Sequence, residues 1–424
     1  MATVVEALAH PTPVLAYFQE VRAFTERLCE PLATEDYVVQ SMADVSPTKW
    51  HLAHTSWFFE TFVLAPHVPD YRPLEPAYAF LFNSYYVQAG ERHCRAQRGY
   101  ISRPTVAEVY AYRRHVDAAM GELLERADGM LLERVAPLIE LGLQHEQQHQ
   151  ELLLTDIKHV FSVNPLRPVY RARPVASAPW AAPVAWLPFA GGLQEIGHDG
   201  AGFAYDNEGP RHRVYLQPYQ LTDRLVTNGE YLEFMADGGY RRAELWLSLG
   251  WAAAQEHGWT EPFYWERRAA DWWHFTLSGM RRVDPDEPLT HISYFEADAF
   301  ARWAGARLPT EAEWEVAAAT VPRAGNFVEE ARFHPAAAEP GAPGLRQLYG
   351  DVWEWTQSPY VPYPGFRPAA GALGEYNGKF MCNQYVLRGG SCATSRTHIR
   401  ATYRNFFPPE ATWQFTGVRL ARDA

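Results

Sequence analysis

His145 and His149 stand four residues apart in Leu143-Gln144-His145-Glu146-Gln147-Gln148-His149. On a helix that is one turn, where two neutral imidazoles can chelate a single metal ion. The segment from Leu138 to Val160 reads as such a helix. Its row 138, 141, 145, 149, 152 advances by three or four residues, so the two rings replace leucines on an apolar stripe. Burying both without a partner would be costly. A third ligand is offered by the segment from Ser46 to Glu60, which opens as a helix with Ser46 as N-cap and Pro47 at the first helical position. His54 lies in the row Trp50, His54, Trp57, Thr61, and His51 in the row His51, Thr55, Phe58, Phe62. Both rows are largely apolar, and spacing does not choose between them. Three neutral histidines leave coordination positions open, which suits a catalytic metal (zinc, copper or iron) better than a closed structural site.

A second set of chemically capable residues lies between these segments. From Pro66 to Arg103 the chain has no helical periodicity, which in a compact domain points to a functional loop. It is aromatic, with Tyr78, Phe80, Phe82, Tyr85, Tyr86 and Tyr100, and carries Arg92, Arg95, Arg98 and Arg103. Arginines grouped in this way can hold a carboxylate by a bidentate fork, and tyrosines can donate a proton or hydrogen atom.

The elements that must position these residues are amphipathic helices near Val14–Leu28, Trp50–Leu64 and Val106–Leu132, followed by the histidine helix. Thr105-Val106-Ala107-Glu108 is a capping-box signature for the third. Together they predict an antiparallel four-helix bundle over residues 1–170. A Pro- and Ala-rich linker over 171–183 leads to a second domain, 184–424, of short strands with many Gly, Pro and Trp. The fold class is therefore α+β. The 424 residues give ample length for two cores, and the net charge of −12 argues against nucleic acid or an anionic membrane as partner. Four cysteines without a CxxC make a disulfide framework or a cysteine zinc site unexpected. No signal peptide is read at the start and no apolar run reaches membrane-spanning length, so a cytoplasmic enzyme is expected.

Five ordered blocks then carry a resemblance: Gly191–Gly197, Tyr205-Asp206-Asn207-Glu208, Arg307–Glu315, Gly350–Thr356 and Leu387-Arg388-Gly389-Gly390-Ser391. The C-terminal part resembles the formylglycine-generating-enzyme domain, a C-type-lectin variant with little regular secondary structure, and the N-terminal part resembles DinB-like bundles. With Trp50–Glu60, Phe82-Asn83-Ser84-Tyr85-Tyr86 and the histidine helix also present, the whole chain is similar to the sulfoxide synthases of ergothioneine biosynthesis.

The resemblance implies a non-haem iron(II) on His54, His145 and His149, at a site between the two domains. It implies an O2-dependent reaction joining the sulfur of L-cysteine to C2 of the imidazole of hercynine, the Nα-trimethyl betaine of histidine. Tyr85 and Tyr86 match a tyrosine pair that controls sulfoxide formation against thiol dioxygenation in the cysteine-using subgroup. Gln148, Asn405, Phe406 and Phe407 match hercynine-contacting positions, and aromatic faces are what a quaternary ammonium requires. Arg95 and Arg98 become the expected clamps for the cysteine carboxylate. Phe407 departs from members that use γ-glutamylcysteine, which carry an acidic residue there. A selenoneine synthase taking a selenosugar is the main alternative. A formylglycine-generating oxidase would need a second cysteine after Cys392, and a bifunctional ovothiol synthase would need an extra domain, so neither is expected. A homo-oligomer is left open.

Overall fold

The computed structural model describes residues 11–173, 183–339, 341 and 343–424; the 174–182 part of the expected linker lies outside them. Two compact units are present. The first comprises the chain up to Leu166 together with Gly200–Phe203 and Pro368–Tyr376; the second comprises Arg167–Asp199, Ala204–Arg367 and Asn377–Ala424.

Among the described residues, the first unit is built on four long helices: α1 (Pro11–Cys29), α2 (Thr48–Phe59, prolonged by a π-helical turn over Glu60–Leu64), α3 (Val106–Arg126) and α4 (Gly129–Val163). α1 packs on α3 and α4, and α2 packs on the same two. The capping box at the start of α3 forms as expected: the Thr105 amide donates to Glu108 Oε2 at 2.6 Å, and the Glu108 amide donates to Thr105 Oγ1 at 3.2 Å. α3 stops at Arg126 rather than Leu132, because Asp128 caps α4 by accepting from the Leu131 amide at 2.8 Å.

The start of α2 also differs from expectation. Pro47, not Ser46, is the N-cap. Ser46 is diverted to tertiary contacts: its amide donates to Asp156 Oδ2 at 2.8 Å and its hydroxyl accepts from Arg98 Nη1 at 2.9 Å.

In α4 the expected one-sided stripe is too narrow a description. Leu138, Leu141 and Leu152 are half-buried, while Leu143, Gln144, His145, Glu146, Gln147, His149 and Gln150 are all buried, so the middle of the helix is enclosed nearly all round. Gly142 lets α2 approach closely, since a Cβ there would stand 2.6 Å from the Phe59 ring and 2.9 Å from Phe58.

What fixes the register of the bundle is charge. Glu146, one residue after His145, accepts from Arg22 Nη1 (2.8 Å), Arg113 Nη2 (2.6 Å) and Thr25 Oγ1 (2.6 Å). Arg22 also donates to Ser56 Oγ at 2.8 Å and Arg113 to Thr55 Oγ1 at 3.2 Å, so a single buried network touches all four helices. Burial alone would raise the Glu146 carboxyl, but the Arg113 and Arg22 guanidiniums hold it down to about 2.

A carboxyl lowered in the folded state stabilises it above the unfolded pKa, and that contribution disappears as pH falls through the folded value. Glu146→Gln should therefore be less stable than wild type by about 3–5 kcal/mol at neutral pH. Most of that deficit should vanish as pH falls from 4.5 towards 2. Urea midpoints across that range test this, and a deficit indifferent to pH would remove the carboxylate charge from the explanation.

Among the described residues, the second unit contains four small sheets. In order of pairing, the first joins β1 (Trp186–Phe189), β4 (Tyr219–Thr222) and β12 (Ala421–Asp423), and the second joins β10 (Asn405–Phe407), β9 (Tyr385–Arg388), β8 (Trp353–Pro359) and β11 (Thr416–Gly417). The third pairs β2 (Gly192–Ile196) with β3 (His212–Leu216), and the fourth joins β5 (Trp265–Arg268), β6 (Asp271–Thr276) and β7 (Gly279–Arg282). The sequence blocks prove to be its internal ties. Glu311 accepts from Arg388 Nη2 (3.0 Å) and Arg404 Nε (2.9 Å), Glu315 accepts from the Gly197 amide (2.6 Å), and Glu354 accepts from Arg419 Nε (2.9 Å). Gly389, at φ 98°, passes so near the Leu348 carbonyl that a Cβ would stand 2.6 Å from its oxygen.

Candidate metal centre

α2 and α4 bring His54, His145 and His149 together, all buried, with one ring nitrogen from each lying within 4.8 Å of the others. His54 Nε2 and His145 Nε2 are 3.2 Å apart. Two nitrogens each about 2.1 Å from an ion at roughly a right angle would stand about 3 Å apart, so the spacing suits a shared ion.

The other ring nitrogens determine what the triad can do. His54 Nδ1 donates to the Phe82 carbonyl at 2.5 Å, which leaves Nε2 with its lone pair. His149 Nδ1 lies 2.9 Å from His51 Nδ1, and His51 Nε2 lies 3.0 Å from Asp156 Oδ2. With His51 Nε2–H donating to Asp156 Oδ2, His51 Nδ1 accepts from His149 Nδ1–H, and His149 Nε2 is likewise left bare. His51 therefore stands behind the triad, orienting His149 in the manner of a histidine–carboxylate pair behind a metal ligand.

Burial lowers His145 to about 4 and pushes His54 and His149 well below the ordinary histidine value, each further opposed by neighbouring imidazoles. All three are neutral at neutral pH, the form that ligates. His145 Nδ1 has no hydrogen-bond partner among the described residues.

Aromatic packing immobilises the set. The His54 ring is stacked on Trp50 (4.5 Å, 15°) and on Trp57 (5.4 Å, 13°). Beyond Trp50 lies Arg98, whose guanidinium carbon is 3.3 Å from the indole centroid. Arg98 is buried and donates to Ser46 Oγ (2.9 Å) and Ser84 Oγ (3.0 Å). Burial brings its guanidinium down to about 9, still protonated at neutral pH. Arg95 is more exposed and donates to the Tyr85 hydroxyl (2.6 Å) and the Asp44 carbonyl (2.7 Å).

The two adjacent tyrosines meet different surroundings. Tyr86 is buried with its ring against Trp57 (5.6 Å) and Phe62 (5.3 Å), and burial raises its hydroxyl pKa. Tyr85 faces Arg95 and, at 6.3 Å between rings, Tyr376. Tyr376 is a residue that sequence reasoning missed. It arrives with the segment Pro368–Tyr376, which Glu375 pins by accepting from the Val87 amide (2.7 Å) and the Gln88 amide (2.9 Å). A partnership 291 positions apart in the chain leaves no local signal.

Gln148 is half-buried on α4, one residue before His149. In the second unit, Asn405, Phe406 and Phe407 form β10, paired with Leu387, Val386 and Tyr385 of β9. Phe406 is stacked on Tyr360 at 4.1 Å and lies 5.8 Å from Phe380; Phe407 meets Trp413 edge-on at 6.0 Å. All three β10 residues are half-buried, so this aromatic patch is not sealed inside a core.

A model of the DinB superfamily matches residues 17–153, and one of the sulfatase-modifying factor enzyme 1-like domain matches residues 183–424. A hercynine oxygenase of Mycolicibacterium thermoresistibile is 35% identical over 89% of this chain and 88% of its own. The hercynine oxygenase of Mycobacterium tuberculosis is 33% identical over 98% of this chain and 100% of its own. The chain belongs to the hercynine oxygenase family.

It is accordingly an oxygenase, with a helical DinB region followed by a sulfatase-modifying-factor domain. As a hercynine oxygenase family member it also shares 31% identity with a formylglycine-generating enzyme of Streptomyces coelicolor, over 53% of this chain and 84% of that enzyme. Among the described residues, no helix is long and apolar enough to cross a membrane.

Proposed function

We propose that this oxygenase is an iron(II)-dependent sulfoxide synthase that joins L-cysteine to hercynine, giving hercynylcysteine sulfoxide in ergothioneine biosynthesis. The observation carrying the reading is the buried, neutral triad His54, His145 and His149 in a chain 35% identical to a hercynine oxygenase. The balance is simple: thiol S–H, imidazole C2–H and O2 become an aryl sulfoxide and one water. Iron(II) on the three histidines would supply open positions for O2 and a thiolate, and the redox chemistry that couples them.

The chain's own residues supply the rest. Arg98, with Arg95 beside it, holds the cysteine carboxylate. Asn405, Phe406 and Phe407 receive the trimethylammonium group through aromatic faces and an amide oxygen, and Gln148 contacts the hercynine imidazole.

Tyr85 and Tyr86 deliver the proton or hydrogen atom that diverts the reaction from plain oxidation of the thiol to a sulfinate. Their different surroundings support a division of labour. Tyr85 is held by a hydrogen bond from Arg95 Nη1 at 2.6 Å, while the dry, apolar setting of Tyr86 favours keeping its proton. Phenylalanine at both positions should preserve O2 consumption while moving product from sulfoxide to cysteine sulfinate. Chromatographic product ratios check this, and an unchanged ratio would take both tyrosines out of the mechanism. The whole reading is tested by supplying iron(II), O2, cysteine and hercynine together: sulfoxide should form only with all four.

A further inference from the structure

We infer that the second unit carries a separate metal site, formed by His274, Glu287 and His334, that takes a divalent transition ion of the zinc or cobalt type. The three residues are buried, at 4%, 5% and 3% exposure, and offer one ligand atom each within 4.8 Å of one another. His334 Nε2 and Glu287 Oε2 are 2.9 Å apart, and the two imidazole rings stand 5.2 Å apart at 82°. Two imidazoles and one carboxylate are a donor set that binds zinc and other first-row divalent ions.

Three separated stretches of chain converge to make the cluster, and each is anchored by its backbone. His274 lies within β6, in register with Trp265 on one side and Arg281 of β7 on the other. The Glu287 carbonyl accepts from the Asn228 amide at 2.9 Å. The His334 carbonyl accepts from Asn326 Nδ2 at 2.9 Å. The ligand positions are therefore set by the fold rather than by long flexible side chains.

The carboxylate is oriented as well. Arg173 Nη2 lies 3.3 Å and Arg281 Nη2 3.7 Å from Glu287 Oε1, while Oε2 is the oxygen turned to His334. A ligating carboxylate is commonly held through its other oxygen in this way. The two guanidiniums also repel a dication, which makes this a weaker site than the triad in the first unit. Nothing in this assignment depends on the reaction proposed above.

Tag-free, metal-stripped protein titrated with cobalt(II) and followed by visible absorption and dialysis provides the test. Wild type should bind two equivalents in two steps of different affinity. The double variant His54→Ala/His145→Ala should retain one, and either Glu287→Gln or His274→Gln should remove the other. X-ray absorption of cobalt in the double variant should show imidazole scattering and no sulfur, a readout that needs no change at the new site. Saturation of wild type at one equivalent would overturn the inference. So would a second equivalent held equally by the Glu287 and His274 variants, which would mark an adventitious ion only, or cobalt without imidazole ligands in the double variant.

Discussion

Alanine in place of His54, His145 or His149 is expected to abolish high-affinity iron(II) binding and to lower turnover by at least a thousandfold. Each of the three contributes a neutral nitrogen to one small volume, and two imidazoles alone are a poor cage for iron(II). His51→Ala is the informative contrast. His51 is as buried as the triad and 2.9 Å from His149, yet its own ring is committed to Asp156. It should retain the metal with affinity weakened by about 10–100-fold, the usual result of losing an orienting partner. Metal analysis after dialysis against a graded chelator separates the two outcomes. If His51→Ala emptied the site while His54→Ala kept it full, the ligand assignment would be reversed.

That contrast also shows where the sequence is legible. The His145/His149 pair, the capping box at Thr105 and the four long helices are local patterns, and each appears in the structure. The choice between His51 and His54 is not local. It depends on which row of α2 faces α4, and on a carbonyl at Phe82 that meets His54 from the following loop. Ser46 looked like an N-cap because its type and spacing were right, and it was drawn away by Asp156, 110 residues downstream.

The partners that no pattern announces are joined across longer distances. Tyr376 reaches Tyr85, Arg98 lies on Trp50, and His274, Glu287 and His334 meet from three stretches with no recurring spacing. Glu146 illustrates the same point inside a legible helix. Its neighbour His145 draws the eye, but its two arginines from α1 and α3 are what lock the helix in place. Sequence periodicity places backbones, whereas the chemistry here is completed by side chains brought together by tertiary packing.

Under the proposed function, loss of Arg98 is expected to raise the cysteine KM by about tenfold or more, the worth of a charge-assisted contact of roughly 1.5–3 kcal/mol. Arg98 is 4% exposed, and its guanidinium lies on the Trp50 face and spends its two Nη groups on the neutral hydroxyls of Ser46 and Ser84. Its hydrogen bonds go to neutral hydroxyls, Asp156 acts on it only at longer range, and its charge adds to the lowering of His54 and His149. A buried cation whose hydrogen-bond partners are neutral is a prepared seat for an incoming anion. Arg95 is less suited, being 40% exposed at its side chain and engaged with Tyr85 and the Asp44 carbonyl.

Arg98→Gln should therefore raise the KM for cysteine far more than the KM for hercynine, with Arg98→Lys recovering part of the loss and Arg95→Gln showing a smaller effect. Equal increases for both substrates would mean that Arg98 only supports Trp50 and the loop. The donor comparison follows the same chemistry. Phe407 offers an aromatic edge to Trp413 and no carboxylate, so a glutamyl amine would find no charge partner there. Cysteine should outpace γ-glutamylcysteine at limiting concentration. Faster turnover of the dipeptide would sink the Phe407 argument, and use of a selenosugar alone would make the enzyme a selenoneine synthase.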